Sequence, residues 1–124
     1  MTGTTTHHDV RSLDSPDELR PFAAHGSMAV VKLANATVGR GTFEPGWRWS
    51  DDVRPLAGTD TCQEQHTLYV VSGRMRVALD NGTEFEVAAG DVAEIPAGHD
   101  GWTVGDEPCV VIEWSAASGY ATGR

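Results

Sequence analysis

Short runs of alternating apolar and polar residues, each closed by a turn signal, fill most of this chain. Alternation with period two marks a strand that buries one face. Strand candidates are Met28 to Leu33, Val38 to Phe43, His66 to Val71, Met75 to Leu79, Glu84 to Val87, Val92 to Ile95, Trp102 to Val104 and Cys109 to Trp114. Between them stand Gly46, Ser72-Gly73, Asp80-Asn81-Gly82, Ala89-Gly90-Asp91, Pro96-Ala97-Gly98 and Gly105-Asp106-Glu107-Pro108, all built from residues that turn the chain. Short, regularly spaced strands without interleaved helices predict an all-β sandwich or barrel. One helical turn is expected ahead of them. Ser15 caps it, Pro16 takes its first turn, Glu18 sits three residues after the cap, and Pro21 limits its length. The expected division is a lead-in with that turn over 1–27, a β-domain over 28–116 and a tail over 117–124.

The Asp80-Asn81-Gly82 turn permits a register argument. A two-residue Asn-Gly loop would pair Arg76 with Val87 and mix charge into the apolar face. A three-residue loop with Gly82 left-handed pairs Met75 with Val87, Arg76 with Glu86 and Val77 with Phe85. The second register sorts the faces, so Met75, Val77, Leu79, Phe85 and Val87 are expected to point inward. By the same alternation Leu68 and Val70 face in while Tyr69 and Val71 face out. An apolar outer face calls for a partner sheet, either this chain's own or a neighbour's.

Composition narrows the classes of partner. A chain of 124 residues is one domain with a single core. Nine Lys and Arg against eighteen Asp and Glu leave a net charge of -9, which argues against nucleic acid and anionic membrane surfaces. No stretch is long and apolar enough to span a bilayer, and Met1 to His8 lacks the basic and apolar parts of a signal peptide. A cytoplasmic protein is expected. Cys62 and Cys109 are then thiols, with Cys109 a small buried residue inside its strand. The adjacent His7 and His8 read as solvated tail residues.

Two stretches concentrate chemistry: Cys62-Gln63-Glu64-Gln65-His66, and Gly90 to His99 with its Pro96-Ala97-Gly98 turn. Four tryptophans accompany them. Trp114 reads as core, Trp47 and Trp49 share strand parity, and Trp49 and Trp102 are candidates to line a small-molecule pocket. Arg48 is a candidate for an anionic ligand, although ion pairs of Arg48 and Arg54 with Asp51 or Asp52 are the simpler expectation. Asp60 and Glu64 read as loop carboxylates.

Over roughly Val30 to Trp114 the chain resembles the cupins, a family of small jelly-roll barrels formed by a double-stranded β-helix. The second family motif, glycine then Pro-x-Gly, is matched by Gly90, Pro96 and Gly98, with Gly101 where the histidine usually stands. The first is recognisable by spacing. Counted back from Gly73, the glutamate position holds His66 and the histidine positions hold Asp60 and Cys62. The resemblance implies a divalent metal inside the barrel, with Cys62, His66 and His99 as substitute ligands. Residues two apart on a strand share a face, so His99 can point where position 101 does. Thiol and imidazole suit zinc, iron, nickel or copper and are poor ligands for magnesium or calcium. On a straight strand Cys62 and His66 would lie about 13 Å apart, so the chain must bend between them. The resemblance implies a metal-dependent oxygenation, isomerisation or hydrolytic step on an organic small molecule, with catalytic residues unassigned, and a homodimer, to which the outward Tyr69 and Val71 lend weak support. A metal-free ligand-sensing module and a purely structural homodimeric barrel are the alternatives.

Overall fold

The computed structural model describes residues 8–114. His7 and the expected tail over 117–124 lie outside the described residues; His8 is exposed. The strands are β1 (Glu18–Pro21), β2 (Gly26–Lys32), β3 (Thr37–Phe43), β4 (His66–Ser72), β5 (Arg74–Leu79), β6 (Glu84–Ala88), β7 (Val92–Ile95), β8 (His99–Val104) and β9 (Cys109–Glu113). Two single-turn helices, α1 (Trp49–Asp52) and α2 (Arg54–Ala57), interrupt them between β3 and β4. All pairings are antiparallel. One sheet runs β1-β2-β3-β9-β4-β7 and the other β6-β5-β8. Their inner faces enclose one core.

The β5–β6 hairpin has the expected register, with Met75 opposite Val87, Arg76 opposite Glu86 and Val77 opposite Phe85. Its loop is a turn in which the Gly82 N–H donates to the Leu79 carbonyl at 2.9 Å. Gly82 follows with φ 92°, the left-handed bulge residue of a three-residue hairpin. Met75, Val77 and Val87 are buried, and Leu79 and Phe85 pack against the core from its margin.

The amino-terminal helical turn does not form. Its residues become β1, with Glu18 opposite Val30 and Arg20 opposite Met28. The competing force is the open edge of β2. The Asp17 N–H donates to the Val30 carbonyl at 2.9 Å and the Lys32 N–H donates to the Asp17 carboxylate at 2.7 Å. Groups that would have started a helix thus finish a sheet ladder, and unpaired edge groups are satisfied. The sheet consequently begins at Glu18, ten residues before the expected start of the β-domain at Met28. The segment ahead of β1 lies over β2 and β3, where Arg40 pairs with Asp14 at 2.9 Å, and Ala29 and Val31 are buried although they alternate with inward Met28 and Val30.

The two helical turns have local causes. The Asp52 carboxylate accepts the Arg48 N–H at 3.1 Å, satisfying a donor at the start of α1. Pro55 stands in the first turn of α2 and Gly58 closes it at φ 76°, the usual asymmetry of helix ends.

Candidate metal centre

Cys62 is held by a single bridge to β8. Its N–H donates to the His99 carbonyl at 2.7 Å, and its own carbonyl accepts the Gly98 N–H at 2.7 Å. Gln63-Glu64-Gln65 then carry the chain across to β4, where His66 pairs with Ile95. That crossing supplies the bend the sequence demands. The Cys62 Sγ lies 3.5 Å from His66 Nε2 in place of the roughly 13 Å of a straight strand. The imidazoles of His66 and His99 meet edge to face with ring centres 4.9 Å apart. One donor atom from each of Cys62, His66 and His99 lies within 4.8 Å of the others, and all three residues are buried.

The orientation of each ring is fixed from behind. His99 Nδ1 is 2.7 Å from the Pro96 carbonyl, an acceptor, so the nitrogen carries a proton and donates. His66 Nδ1 lies 2.9 Å from both carboxylate oxygens of Glu113 and donates likewise. Both rings therefore direct Nε2 as the ligand-bearing nitrogen. A carboxylate or carbonyl behind a histidine is the support that metal-ligating imidazoles require. Glu113 is 1% exposed, so its charge has no access to bulk water and depends on His66.

Burial pushes the Cys62 thiol up, but hydrogen bonds from His66 and His99 and their charge outweigh it, bringing the pKa down to about 7. Burial opposes charge on His66 as well; the Glu113 carboxylate, then Cys62, overcome this and raise it to about 10. Without a metal these shifts favour a thiolate beside an imidazolium above about pH 7. The donor set fits a transition metal. At Zn–S of about 2.3 Å and Zn–N of about 2.0–2.1 Å, tetrahedral ligand atoms stand about 3.5 Å apart, the separation of Cys62 Sγ and His66 Nε2. Bound there, such an ion would supply Lewis acidity or redox chemistry.

A cavity of about 30 Å³ adjoins these residues, lined by His66, His99 and Glu113 and walled by Phe43, Trp47 and Trp49 among other apolar side chains. A buried water needs roughly 10–15 Å³ by this measure, so the space is that of about two waters.

The expected pocket residues separate. Trp49 lines the cavity, held there by α1 and not by strand parity with Trp47. Trp102 does not. On β8 the buried positions are His99, Gly101 and Thr103, so an inward His99 forces Trp102 to the outer face. Arg48 goes with it, its guanidinium 4.3 Å over the Trp102 ring and 3.5 Å from Asp100. Neither is among the residues that line the cavity. The expected pairs of Arg48 and Arg54 with Asp51 or Asp52 are replaced by Asp100 and, for Arg54, Asp60 at 3.5 Å. Asp52 is instead buried, accepting from Arg48 N–H and bonding His25. Trp114, expected in the core, is 47% exposed because it follows inward Glu113. Glu113 itself was not among the expected site residues. Its signal is the alternation Cys109, Val111, Glu113, which puts a carboxylate on an inner face.

Residues 61–115 match the family described as Cupin domain. That stretch of the chain is similar to a cupin domain. Solved structures agree on the fold. A Klebsiella pneumoniae protein with a double-stranded β-helix domain is 22% identical with TM-score 0.59, covering 92% of this chain and 94% of that one. The polyketide cyclase RemF of Streptomyces resistomycificus is 18% identical with TM-score 0.62, over 88% and 79%. Oxalate decarboxylase of Lactobacillus farciminis, in its formate complex, is 23% identical with TM-score 0.57, but the match covers 82% of this chain and only 32% of that one. No curated protein matches. Within the cupin pattern, Gly101 keeps the inward direction of the histidine it replaces. A Cβ built there would meet Met75 Sδ at 3.7 Å and the Trp47 ring at 3.9 Å. Among the described residues no helix is long and apolar enough to cross a membrane.

Proposed function

We propose that this chain holds a divalent transition metal through Cys62 Sγ and the Nε2 atoms of His66 and His99, and acts on a small molecule beside it. The observation that carries this reading is the orientation of the two imidazoles. Each has Nδ1 spent on a fixed acceptor, so each presents Nε2 toward the thiol. Zinc, iron, nickel and copper are the ions the donor set suits. Glu113 and the Pro96 carbonyl orient the ligands, and the apolar wall excludes water. Three protein ligands leave a coordination position for chemistry, as catalytic sites do. Enzymes such as a polyketide cyclase and an oxalate decarboxylase share the fold, which supports catalysis on it without naming a substrate. The small cavity favours a compact substrate or the reacting end of a larger one over a whole organic molecule enclosed in the barrel.

Elemental analysis of protein purified without chelator tests the centre. About one equivalent of metal is expected in the wild type and little in Cys62→Ala. Equal metal in both would remove Cys62 from the site. The unpaired thiols of Cys62 and Cys109 suit a reducing, cytoplasmic setting. The outer face of the larger sheet supports a homodimer: Tyr69 lies between Val92 and Ile112 in one cross-strand row, with Tyr69 40% and Val92 72% exposed. Elution as a monomer in gel filtration would count against it.

A further inference from the structure

Two polar groups in the core have no use in the scheme above. Trp47 and Trp49 are 3% and 2% exposed, and neither indole N–H finds a hydrogen-bond partner among the described residues. A buried donor left unmade costs about 1–3 kcal/mol, and native cores tolerate few of them without a reason. Both rings line the same cavity as His66 and His99. From these N–H groups we infer that Trp47 and Trp49 form an acceptor-binding subsite, holding a small monoanion in the cavity beside the metal centre.

Three features set the ligand class. The unused groups are both donors, while the carboxylate in the lining, Glu113, is engaged by His66. Apart from His66, His99 and Glu113 the wall is apolar, so two unused donors beside one already engaged carboxylate favour a ligand that accepts. A divalent ion with one thiolate ligand keeps one positive charge in its own coordination shell; Glu113 balances it from behind His66, so the pull on an anion comes from the ion's open position together with the two N–H donors. A space of about 30 Å³, that of about two waters at roughly 10–15 Å³ each, admits only a ligand of two or three bonded heavy atoms. Formate has that size and only acceptor lone pairs. Benzoate carries the same carboxylate on a body the cavity cannot take. The inference rests on the metal reading, because the ion supplies the charge.

The test uses the full chain loaded with zinc, its zinc content measured first, with the indole N–H resonances followed by NMR during titration with formate. Trp47 and Trp49 resonances are expected to shift together and saturably, those of Trp102 and Trp114 to stay, and benzoate to leave all four unmoved. Trp47→Phe and Trp49→Phe, which delete the N–H and keep an aromatic ring, should each weaken formate binding by about tenfold or more with zinc content unchanged. Indole resonances of Trp47 and Trp49 that stay fixed in zinc-loaded wild type overturn the inference even if a variant fails to fold. Folded variants that bind formate as tightly as wild type overturn it too. A wild type that retains no zinc sinks the metal centre and this inference with it, an outcome distinct from zinc retained with static indoles.

Discussion

The two cysteines of this barrel are buried alike and behave in opposite ways. Cys62 is 2% and Cys109 0% exposed. Cys109 opens β9 opposite Phe43 in an apolar neighbourhood, and burial alone pushes its thiol up to about 11. Cys62 faces two imidazoles that bring it down to about 7. Burial therefore decides neither reactivity nor ligand character. What separates the two thiols is the hydrogen-bonded company that burial has concentrated. The same contrast shows why one cysteine can serve a centre while the other only fills space.

The comparison can be broken most directly at the residue that orders the Cys62 side. Glu113→Gln keeps the shape but removes the charge behind His66, and metal affinity should fall by about 10–100-fold, the usual cost of losing such support. Glu113→Ala should in addition destabilise the metal-free protein by about 3–5 kcal/mol, because it strands one partner of a buried pair. Metal titration and chemical denaturation read the two effects. Unchanged affinity in Glu113→Gln would make Glu113 a bystander.

A second experiment sharpens the contrast by titration. In chelated protein the ultraviolet absorbance of thiolate should rise in two steps, near pH 7 for Cys62 and near pH 11 for Cys109, and Cys62→Ser should delete the lower step alone. The consequences for stability have opposite signs. Cys62 lies below the ordinary 9.0, so its contribution is present above pH 9 and is lost as pH falls through 7. Cys109 lies above 9.0, so its contribution is present below pH 9 and is lost as pH rises through 11. A single step near pH 9 would erase the distinction. Metal affinity should also weaken in acid, since binding must displace the protons on Cys62 and His66.

The smallest effect belongs to the other thiol. Cys109→Ala should cost about 1 kcal/mol of stability, the typical loss for a modest core change, and leave metal content untouched. A loss of metal in that variant would mean that the far side of the core positions the centre.

What was legible in the sequence followed from period-two alternation and turn chemistry, which are local. They suffice for the β-barrel and for the hairpin register, down to the pairing of Arg76 with Glu86. Cys62, His66 and His99 were legible only through motif spacing, because nothing in Gln63-Glu64-Gln65 specifies the crossing to β4. The structure departs from local signals for two physical reasons. At Ser15 to Glu18 a good local helix signal lost to the edge of β2, a tertiary partner that propensity does not contain. Trp102 and Glu113 were instead decidable: once His99 points inward on β8, position 102 must point out, and the alternation on β9 that buries Cys109 also buries Glu113.

The two imidazoles are anchored over very different spans of chain. The acceptor behind His99 is three residues away in its own turn, whereas the one behind His66 is 47 residues away on the last strand. Half of the cluster can thus be aimed as soon as the Pro96-Ala97-Gly98 bend closes, and the other half must await the arrival of β9 between β3 and β4. An ion held by Cys62, His66 and His99 would tie β8 of the smaller sheet to β4 of the larger one, so that chelation would slacken the joint between the two sheets.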